Sequence, residues 1–224
     1  MAIIQNPSIV TLGLQVYLDV LNPRCYSGTG NTAYDLSGSG STFFFINAPI
    51  YSATGYTTNL LFDGTDDYVD CATYLNRTEY TKIAYFQIHS TNAPNVIIGG
   101  DTVYQHVLWM AGGNKLSAGH NNRSGGSFTR VQSTTTLSTY KWYFGAVTFS
   151  NVSGFKLYLN QNLEASDPDT SMFASGSPTI HIGAHEDGSN LLSGKIAQAL
   201  VYNRALSEAE ILQNYYAFKF RFGV

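Results

Sequence analysis

The sequence places one clear helix signal near its end, after a long series of strand signals. Residues 194–203 are rich in strand-forming side chains and apolar on both faces, which indicates a central β-strand. Ser207 then precedes Glu210 by three residues, the spacing of a capping box, which predicts a short helix ending at about Tyr216. A single late helix restricts the chain to folds in which β-sheets supply most of the core. Alternation within the 194–203 strand predicts one face made of Ile196, Leu200 and Tyr202 and another made of Ala197, Ala199 and Val201.

The chain ends in alternating rings and cations, from Phe218 through Lys219, Phe220 and Arg221 to Phe222. A soluble monomer rarely leaves such a stripe exposed. Two interpretations stay open. The segment is either a final strand with its rings buried or a contact with a partner chain. In the second case the assembly contact is made by Phe218, Phe220, Arg221 and Phe222.

Short segments with period-two alternation recur along the rest of the chain. Asp63 and Gly64 form an Asp-Gly pair between apolar residues, which marks a tight turn. Because no repeat, linker or charge run is present, we predict one all-β domain over residues 1–224, either a sandwich or a barrel. The other predicted strands are at residues 14–19, 42–46, 60–62, 67–70, 81–89, 96–98, 103–110, 115–118, 127–132, 141–149, 155–159 and 179–182.

The composition argues against two kinds of partner. Charged residues make up 12% of the 224 residues and the net charge is -3, whereas nucleic-acid binding needs clustered Lys and Arg. No apolar stretch is long enough to span a membrane, so neither a nucleic-acid nor a membrane partner is predicted. The first residues contain no secretory signal, so we expect synthesis in a cytoplasm. Cys25 and Cys71 either form a disulfide or stay as buried thiols.

Several segments, taken in order, are similar to a known family. They are GLQVYLDVLNPRCYSGTG, DLSGSG, LLFDGTDDYVDC, KWYFGAVTFSNVSGFKLYLNQNLEA, IHIGAHEDGSNLLSGKIAQALVYNRALSEAEI and the basic-aromatic ending. Together they resemble the concanavalin A-like, laminin-G-like jelly roll, and more narrowly the version found in tailed-bacteriophage virion structural proteins. The resemblance covers about residues 9–224. It implies an all-β, two-sheet antiparallel jelly-roll sandwich with one short C-terminal helix.

The resemblance also implies a function. It implies a non-enzymatic virion structural protein that decorates the capsid, neck or tail and is made in the host cytoplasm. Its partners would be other virion proteins and copies of itself, with weak contacts to cell-surface glycans. The alternative is a carbohydrate-binding module that recognises a receptor, and a glycan hydrolase is a more distant one.

No catalytic set of carboxylates is recognisable in the sequence. Retaining glycoside hydrolysis needs two carboxyl groups about 5 Å apart, which alternating acids on one strand would provide. Glu164, Asp167 and Asp169 lie around Pro168, which interrupts a strand, so we interpret this segment as a polar loop. No nucleophile elbow, phosphate loop or zinc-binding spacing is present. We therefore predict that the protein is not an enzyme.

The densest acidic cluster contains Asp63, Asp66 and Asp67, with Asp70 close by. Carboxylates presented by loops suit a hard cation such as calcium. The same residues also fit a purely structural role, in which Asp63 shapes the turn and the others lie on or beside strands. We therefore predict no cofactor, with calcium at this cluster as the alternative that stays open.

The segment 104–123 contains the groups that a sugar site needs. Rings cover the apolar face of a sugar, while amides and planar charges bond its hydroxyl groups. A plain hairpin at 119–126 is the other interpretation, and Trp109 and Trp142 are predicted to lie in the core. The residues that we select as carbohydrate-binding are Tyr104, His106, His120, Asn121, Asn122 and Arg123.

Overall fold

The computed structural model describes residues 7–92, 94–100, 106–121, 128–173, 179–185 and 188–224, with 128–130 described by their backbone alone. In this part of the chain, two antiparallel sheets of eight strands each form a sandwich, and one helix, α1 (Glu208–Phe222), follows them. The all-β prediction is thereby confirmed. The strands are β1 (Leu14–Asp19), β2 (Thr32–Tyr34), β3 (Thr42–Ile46), β4 (Ile50–Ser52), β5 (Asn59–Asp63), β6 (Tyr68–Tyr74), β7 (Glu79–Ile88), β8 (Asn95–Gly99), β9 (Val107–Ala111), β10 (Lys115–Asn121), β11 (Phe128–Thr136), β12 (Trp142–Ser150), β13 (Gly154–Leu159), β14 (Asn162–Asp167), β15 (Thr179–Ile182) and β16 (Ser193–Tyr202).

The two sheets enclose the main hydrophobic core. Sheet A has the strand order β14-β13-β12-β7-β16-β5-β4, with β1 also paired to β16. Sheet B has the order β11-β10-β9-β8-β15-β6-β3-β2. Cys25 and Cys71 both lie in the core between the sheets as free, buried thiols, so the interpretation without a disulfide is the correct one. A second core forms where α1 packs on the outer face of sheet A.

Strand β16 occupies the centre of sheet A, between β7 on one side and β5 with β1 on the other. The central position is as predicted, but the predicted faces are wrong. A β-bulge between Ile196 and Gln198 shifts the register by inserting an extra residue, so strict alternation fails beyond it. The core between the sheets contains Ile196, Ala199 and Val201, and the core under α1 contains Ala197, Leu200 and Tyr202.

Helix α1 begins as predicted and ends later than predicted. Ser207 is the N-cap, and the reciprocal bonds of its capping box with Glu210 are both present. The helix continues to Phe222 and ends at Gly223, whose φ of 66° is the left-handed conformation that favours glycine. A final strand is therefore wrong for this segment. No helix in the described part of the chain is long and apolar enough to cross a membrane.

A buried asparagine in α1 ties the helix to the start of the domain. The Asn214 side chain accepts a hydrogen bond from the Val10 backbone N–H at 2.9 Å and donates one to the Tyr202 hydroxyl at 3.1 Å. The Tyr202 hydroxyl in turn donates to the Val10 carbonyl at 2.9 Å. This closed set of buried bonds fixes the helix, strand β16 and the segment before β1 relative to one another.

Candidate functional site

The two histidines that we predicted as sugar ligands lie inside the sandwich. His106 and His120 are both fully buried, so neither can contact a glycan at the surface. His120 lies on β10, where the alternate residues Leu116 and Ala118 also face the core between the sheets. Asn121 is half-buried, while Tyr104, Asn122 and Arg123 lie outside the described residues. The predicted set is therefore not a surface site as a whole.

Both histidines belong to a buried polar network in the core. The Tyr80 hydroxyl lies 3.0 Å from His120 Nδ1, and His120 Nε2 lies 2.7 Å from the Ser171 carbonyl. Lys82 Nζ lies 2.6 Å from His106 Nδ1 and donates to the His106 carbonyl at 2.8 Å. Burial lowers the pKa of Lys82 and of both imidazoles, that of His120 to about 4. These contacts give the histidines a structural role in the core.

An open polar pocket of about 390 Å³ lies where β5 ends and β16 begins. We call it the amide pocket because side-chain amides and hydroxyls dominate its wall. Three separate parts of the chain supply the wall, and only the pairing of the strands brings them together, so no local sequence signal marks it. Its lining residues are Asp63, Gly64, Ser90, Asn92, Pro94, Asn95, Asn190, Leu191 and Ser193.

Hydrogen bonds and close packing make the wall of the amide pocket rigid. The buried Asn95 side chain donates to the Asn92 carbonyl at 2.7 Å and accepts from the Ser193 backbone N–H at 2.8 Å. Gly64 has a φ of +80°, and a Cβ there would come within 2.9 Å of Ser193 Cβ. A wall held in this way loses little entropy when it binds a ligand.

The acidic cluster singled out in the sequence stands beside this pocket. The carboxylates of Asp63, Asp66 and Asp67 offer oxygen atoms that lie within 4.8 Å of one another. Asp63 also shapes the turn, since its Oδ1 accepts from the Thr65 backbone N–H at 2.7 Å. Burial of Asp67, reinforced by the charges of Asp63 and Asp66, raises the pKa of the Asp67 carboxyl. Such an oxygen-only set fits a hard cation such as calcium, and Asp63 belongs to both the cluster and the pocket.

The acidic segment at Glu164 is a strand and not the polar loop that we predicted. Strand β14 pairs with β13 at the edge of sheet A, and Pro168 follows its last residue. The Glu164 carboxylate accepts four hydrogen bonds from the backbone N–H groups and hydroxyls of Thr134 and Thr135. Although burial raises the pKa of Glu164, these bonds outweigh it and lower the pKa overall. The carboxylate therefore joins β14 to β11 through these four hydrogen bonds.

The four residues predicted as an assembly contact have different environments. Phe222 is buried and stacks on Tyr85, with ring centroids 4.6 Å apart, and Phe218 is partly buried in the same core. Arg221 forms an ion pair with Asp19 at 2.9 Å. Phe220 is 68% exposed. Of the predicted contact, Phe220 is thus the member that offers an exposed ring.

A family model described as the concanavalin A-like lectin/glucanases superfamily matches residues 63–212. The chain belongs to this superfamily. As a concanavalin A-like domain it keeps the two-sheet architecture, and its late helix covers the outer face of one sheet. No curated protein matches the chain.

Solved structures share the fold of this concanavalin A-like domain at low sequence identity. Trypanosoma rangeli sialidase in complex with sialic acid matches with a TM-score of 0.66 and 14% identity, over 96% of this chain and 34% of that one. The binding domain of Paraclostridial Mosquitocidal Protein 1 matches with a TM-score of 0.67 and 14% identity, over 92% and 52%. A mutant of HCR/D matches with a TM-score of 0.68 and 17% identity, over 92% and 51%. The chain thus spans about a third to a half of the length of these structures.

Proposed function

We propose that this domain is a non-catalytic, lectin-like module that binds glycans in the amide pocket. The observation that carries the proposal is the lining of the pocket, where amide and hydroxyl side chains converge on one rigid concave wall. Amides both donate and accept hydrogen bonds, so they match the hydroxyl groups of a sugar. The sialidase in complex with sialic acid, which shares the fold, supports a carbohydrate as the ligand class.

Two of the lining amides are placed to contact a ligand. The Asn92 and Asn190 side chains are exposed, whereas Asn95 uses its amide to hold the wall together. Asn190 has a φ of 56°, and its carbonyl accepts from the Val96 backbone N–H at 2.9 Å. Its backbone is therefore fixed while its side chain is accessible. The hydroxyl of Ser193 and the carboxylate of Asp63 also line the pocket and supply further acceptors.

Calcium would stiffen this pocket. Asp63, Asp66 and Asp67 would hold the ion, which would neutralise the repulsion between their carboxylates and stabilise the turn that carries Gly64. We expect the midpoint of thermal unfolding to rise when calcium is added to chelator-treated protein, because a ligand that binds only the folded state stabilises it. Asp67→Asn should abolish this rise. An unchanged midpoint for the unsubstituted protein would contradict the calcium proposal and leave glycan binding to be tested separately.

The glycan proposal is tested by titrating the purified protein with a panel of neutral oligosaccharides in an isothermal calorimeter, with calcium and with chelator. We expect a saturable response that Asn92→Ala and Asn190→Gly weaken, the glycine keeping the left-handed backbone conformation at 190. Asn162→Ala is the matched control, since this exposed amide lies on β14 at the opposite edge of sheet A. Binding that survives both pocket substitutions, or no binding to any glycan of the panel, would contradict the proposal.

We also propose that the module is carried on a tailed-phage particle as a structural component of the capsid, neck or tail. The ordered resemblance of its segments to virion proteins supports this role, with other virion proteins and copies of itself as partners and the host cytoplasm as the place of synthesis. Immunogold electron microscopy and mass spectrometry of purified particles test it. Label at a regular position on the particle is the expected result, and recovery of the protein only in the cell fraction would contradict the role.

A further inference from the structure

A second pocket, of about 340 Å³, lies beside β1 and shares no lining residue with the amide pocket. We call it the β1 pocket. Its walls come from two sequence segments that the glycan proposal leaves without a role, the one after β1 and the one after β2. The lining residues are Tyr17, Asn22, Arg24, Asp35, Leu36 and Gly38.

One wall is fastened along β1. The Tyr17 backbone N–H donates to Asp35 Oδ1 at 2.7 Å, and the Leu36 N–H donates to the Tyr17 carbonyl at 3.0 Å. These two bonds hold the segment that begins at Asp35 against the strand. The wall therefore has its shape before any ligand arrives.

The Asp35 carboxylate is already fully engaged. One oxygen accepts from the backbone N–H groups of Tyr17 and Ser37, and the other accepts from the hydroxyls of Ser37 and Ser39. Each oxygen thus has two donors, which is its ordinary capacity. Asp35 builds the wall and has no acceptor position left for a ligand.

The other wall presents donors. Asn22 Oδ1 accepts from the Arg24 backbone N–H at 3.0 Å, and the Asn22 carbonyl accepts from the Cys25 N–H at 2.9 Å. With its oxygen used in the turn, the Asn22 side chain offers its NH₂ group as a donor. Arg24 is exposed, and the ion pairs within the described residues involve Arg204, Arg221 and His181 instead. Its guanidinium is thus available as a two-pronged donor.

The remaining charges near the β1 pocket are accounted for. Asp19 is held by both terminal nitrogens of Arg221, at 2.9 and 3.2 Å, so these two charges offset each other. Burial, together with the charge of Asp19, raises the pKa of the Tyr17 phenol, so this group stays neutral at physiological pH. Among the lining residues, Arg24 is the cation without a partner of opposite charge, and the other charged group, Asp35, is held by the neutral donors named above.

We propose that the β1 pocket binds a monosaccharide-sized carboxylic acid, with its carboxylate against Arg24 and Asn22. Arginine matches the two oxygens of a carboxylate with two parallel hydrogen bonds, and the amide of Asn22 adds a third donor. The pocket volume is near the lower end for small-molecule sites, which suits one sugar-acid ring rather than a long chain. This site is separate from the amide pocket and differs from it in ligand class.

The test is a ¹H-¹⁵N NMR titration of the purified protein with sodium glucuronate, and in parallel with glucose, its neutral counterpart. We expect saturable shifts at residues 17, 22–24 and 35–38 with glucuronate, and no saturable shifts there with glucose. Arg24→Ala should weaken glucuronate binding by about tenfold or more, because a charge-assisted pair is lost. Arg24→Lys should fall between the two, because it keeps the charge and loses the fork.

A matched control locates the effect. Lys156→Ala removes an exposed cation from β13, outside both pockets, and should leave glucuronate binding unchanged. Equal binding of glucose would overturn the acid class of the ligand. Glucuronate binding that Arg24→Ala does not alter would overturn the site, and so would the absence of saturable shifts at the β1 pocket. Each result is independent of the outcome at the amide pocket.

Discussion

The buried His120 ring should make the folded protein sensitive to acid, and the size of the effect follows from its surroundings. The ring is satisfied in its neutral form, since Nε2–H donates to the Ser171 carbonyl and Nδ1 accepts from the Tyr80 hydroxyl. Burial lowers its pKa from 6.5 to about 4, with the charge of Lys82 adding to the effect. Protonation of the folded protein would place an additional charge in the core between the sheets.

The sign of the effect follows from proton linkage. The pKa of His120 is 6.5 in the unfolded chain and about 4 in the folded protein. Between these two values the unfolded chain binds a proton more readily than the folded protein, so the free energy of unfolding decreases as the pH falls below about 6.5. The loss amounts to about 2 kcal/mol at about pH 5 and about 3 kcal/mol at about pH 4. Burial lowers the pKa of His106 as well, so His106 adds to this loss of stability. The hydrogen bond from Arg204 lowers the pKa of Glu210 to about 2, so protonation of Glu210 at more acidic pH removes a further stabilising interaction.

His120→Gln isolates this contribution. A glutamine amide can donate to the Ser171 carbonyl and accept from the Tyr80 hydroxyl without titrating. Urea unfolding at about pH 7, 6, 5 and 4, followed by tryptophan fluorescence, measures the free energy of unfolding of both proteins. We expect the unsubstituted protein to lose about 3 kcal/mol more than His120→Gln between about pH 7 and pH 4. Equal losses at an unchanged urea dependence would refute the reasoning.

Three further predictions concern the helix and its attachment. Phe222→Ala should cost about 3–4 kcal/mol of unfolding free energy, because it removes a buried ring. Phe220→Ala should change that free energy by less than about 0.5 kcal/mol, because the ring is exposed, and urea unfolding that ranks the two alike would contradict the helical assignment. Asn214→Leu should lower the free energy of unfolding by about 2–3 kcal/mol, because the buried Val10 N–H loses its acceptor. The thermal unfolding midpoint should therefore fall, and an unchanged midpoint would count against the buried network. Ser207→Ala should cost about 1 kcal/mol through loss of the N-cap, whereas Ser207→Asp should retain most of the stability in the same urea experiment.

The C-terminal segment shows where sequence reasoning succeeds and where it stops. The capping box located the helix start because Ser207 and Glu210 interact within one turn, which is a local property of the chain. The helix end was wrong because the rings at 218, 220 and 222 fit a strand, while 218 and 222 also fit one helix face. Phe222 packs on Tyr85, a residue of β7, which agrees with the helix-face pattern. The residues near Phe222 in the sequence do not predict this contact with a distant strand.

The candidate sites also depend on contacts between distant segments, which the sequence alone does not predict. Rings, amides and planar charges around 104–123 suggested a surface site, yet His120 faces the core from β10, and His106, directly before β9, is buried as well. The amide pocket depends on the pairing of Asp63 with Ser193, which are far apart in the chain. The β1 pocket depends in the same way on the hydrogen bond from the Tyr17 N–H to Asp35, which joins two separate segments and which the sequence does not predict.

The sequence by itself determined the all-β class and the start of the helix, because alternation and capping act over a few neighbouring residues. Only the tertiary structure decided which polar residues are buried, how β16 divides its side chains between two cores and where the pockets lie. Burial and cavity shape depend on strand register and on contacts between distant segments. A single bulge, such as the one after Ile196, is enough to change which side chains of a strand face which core.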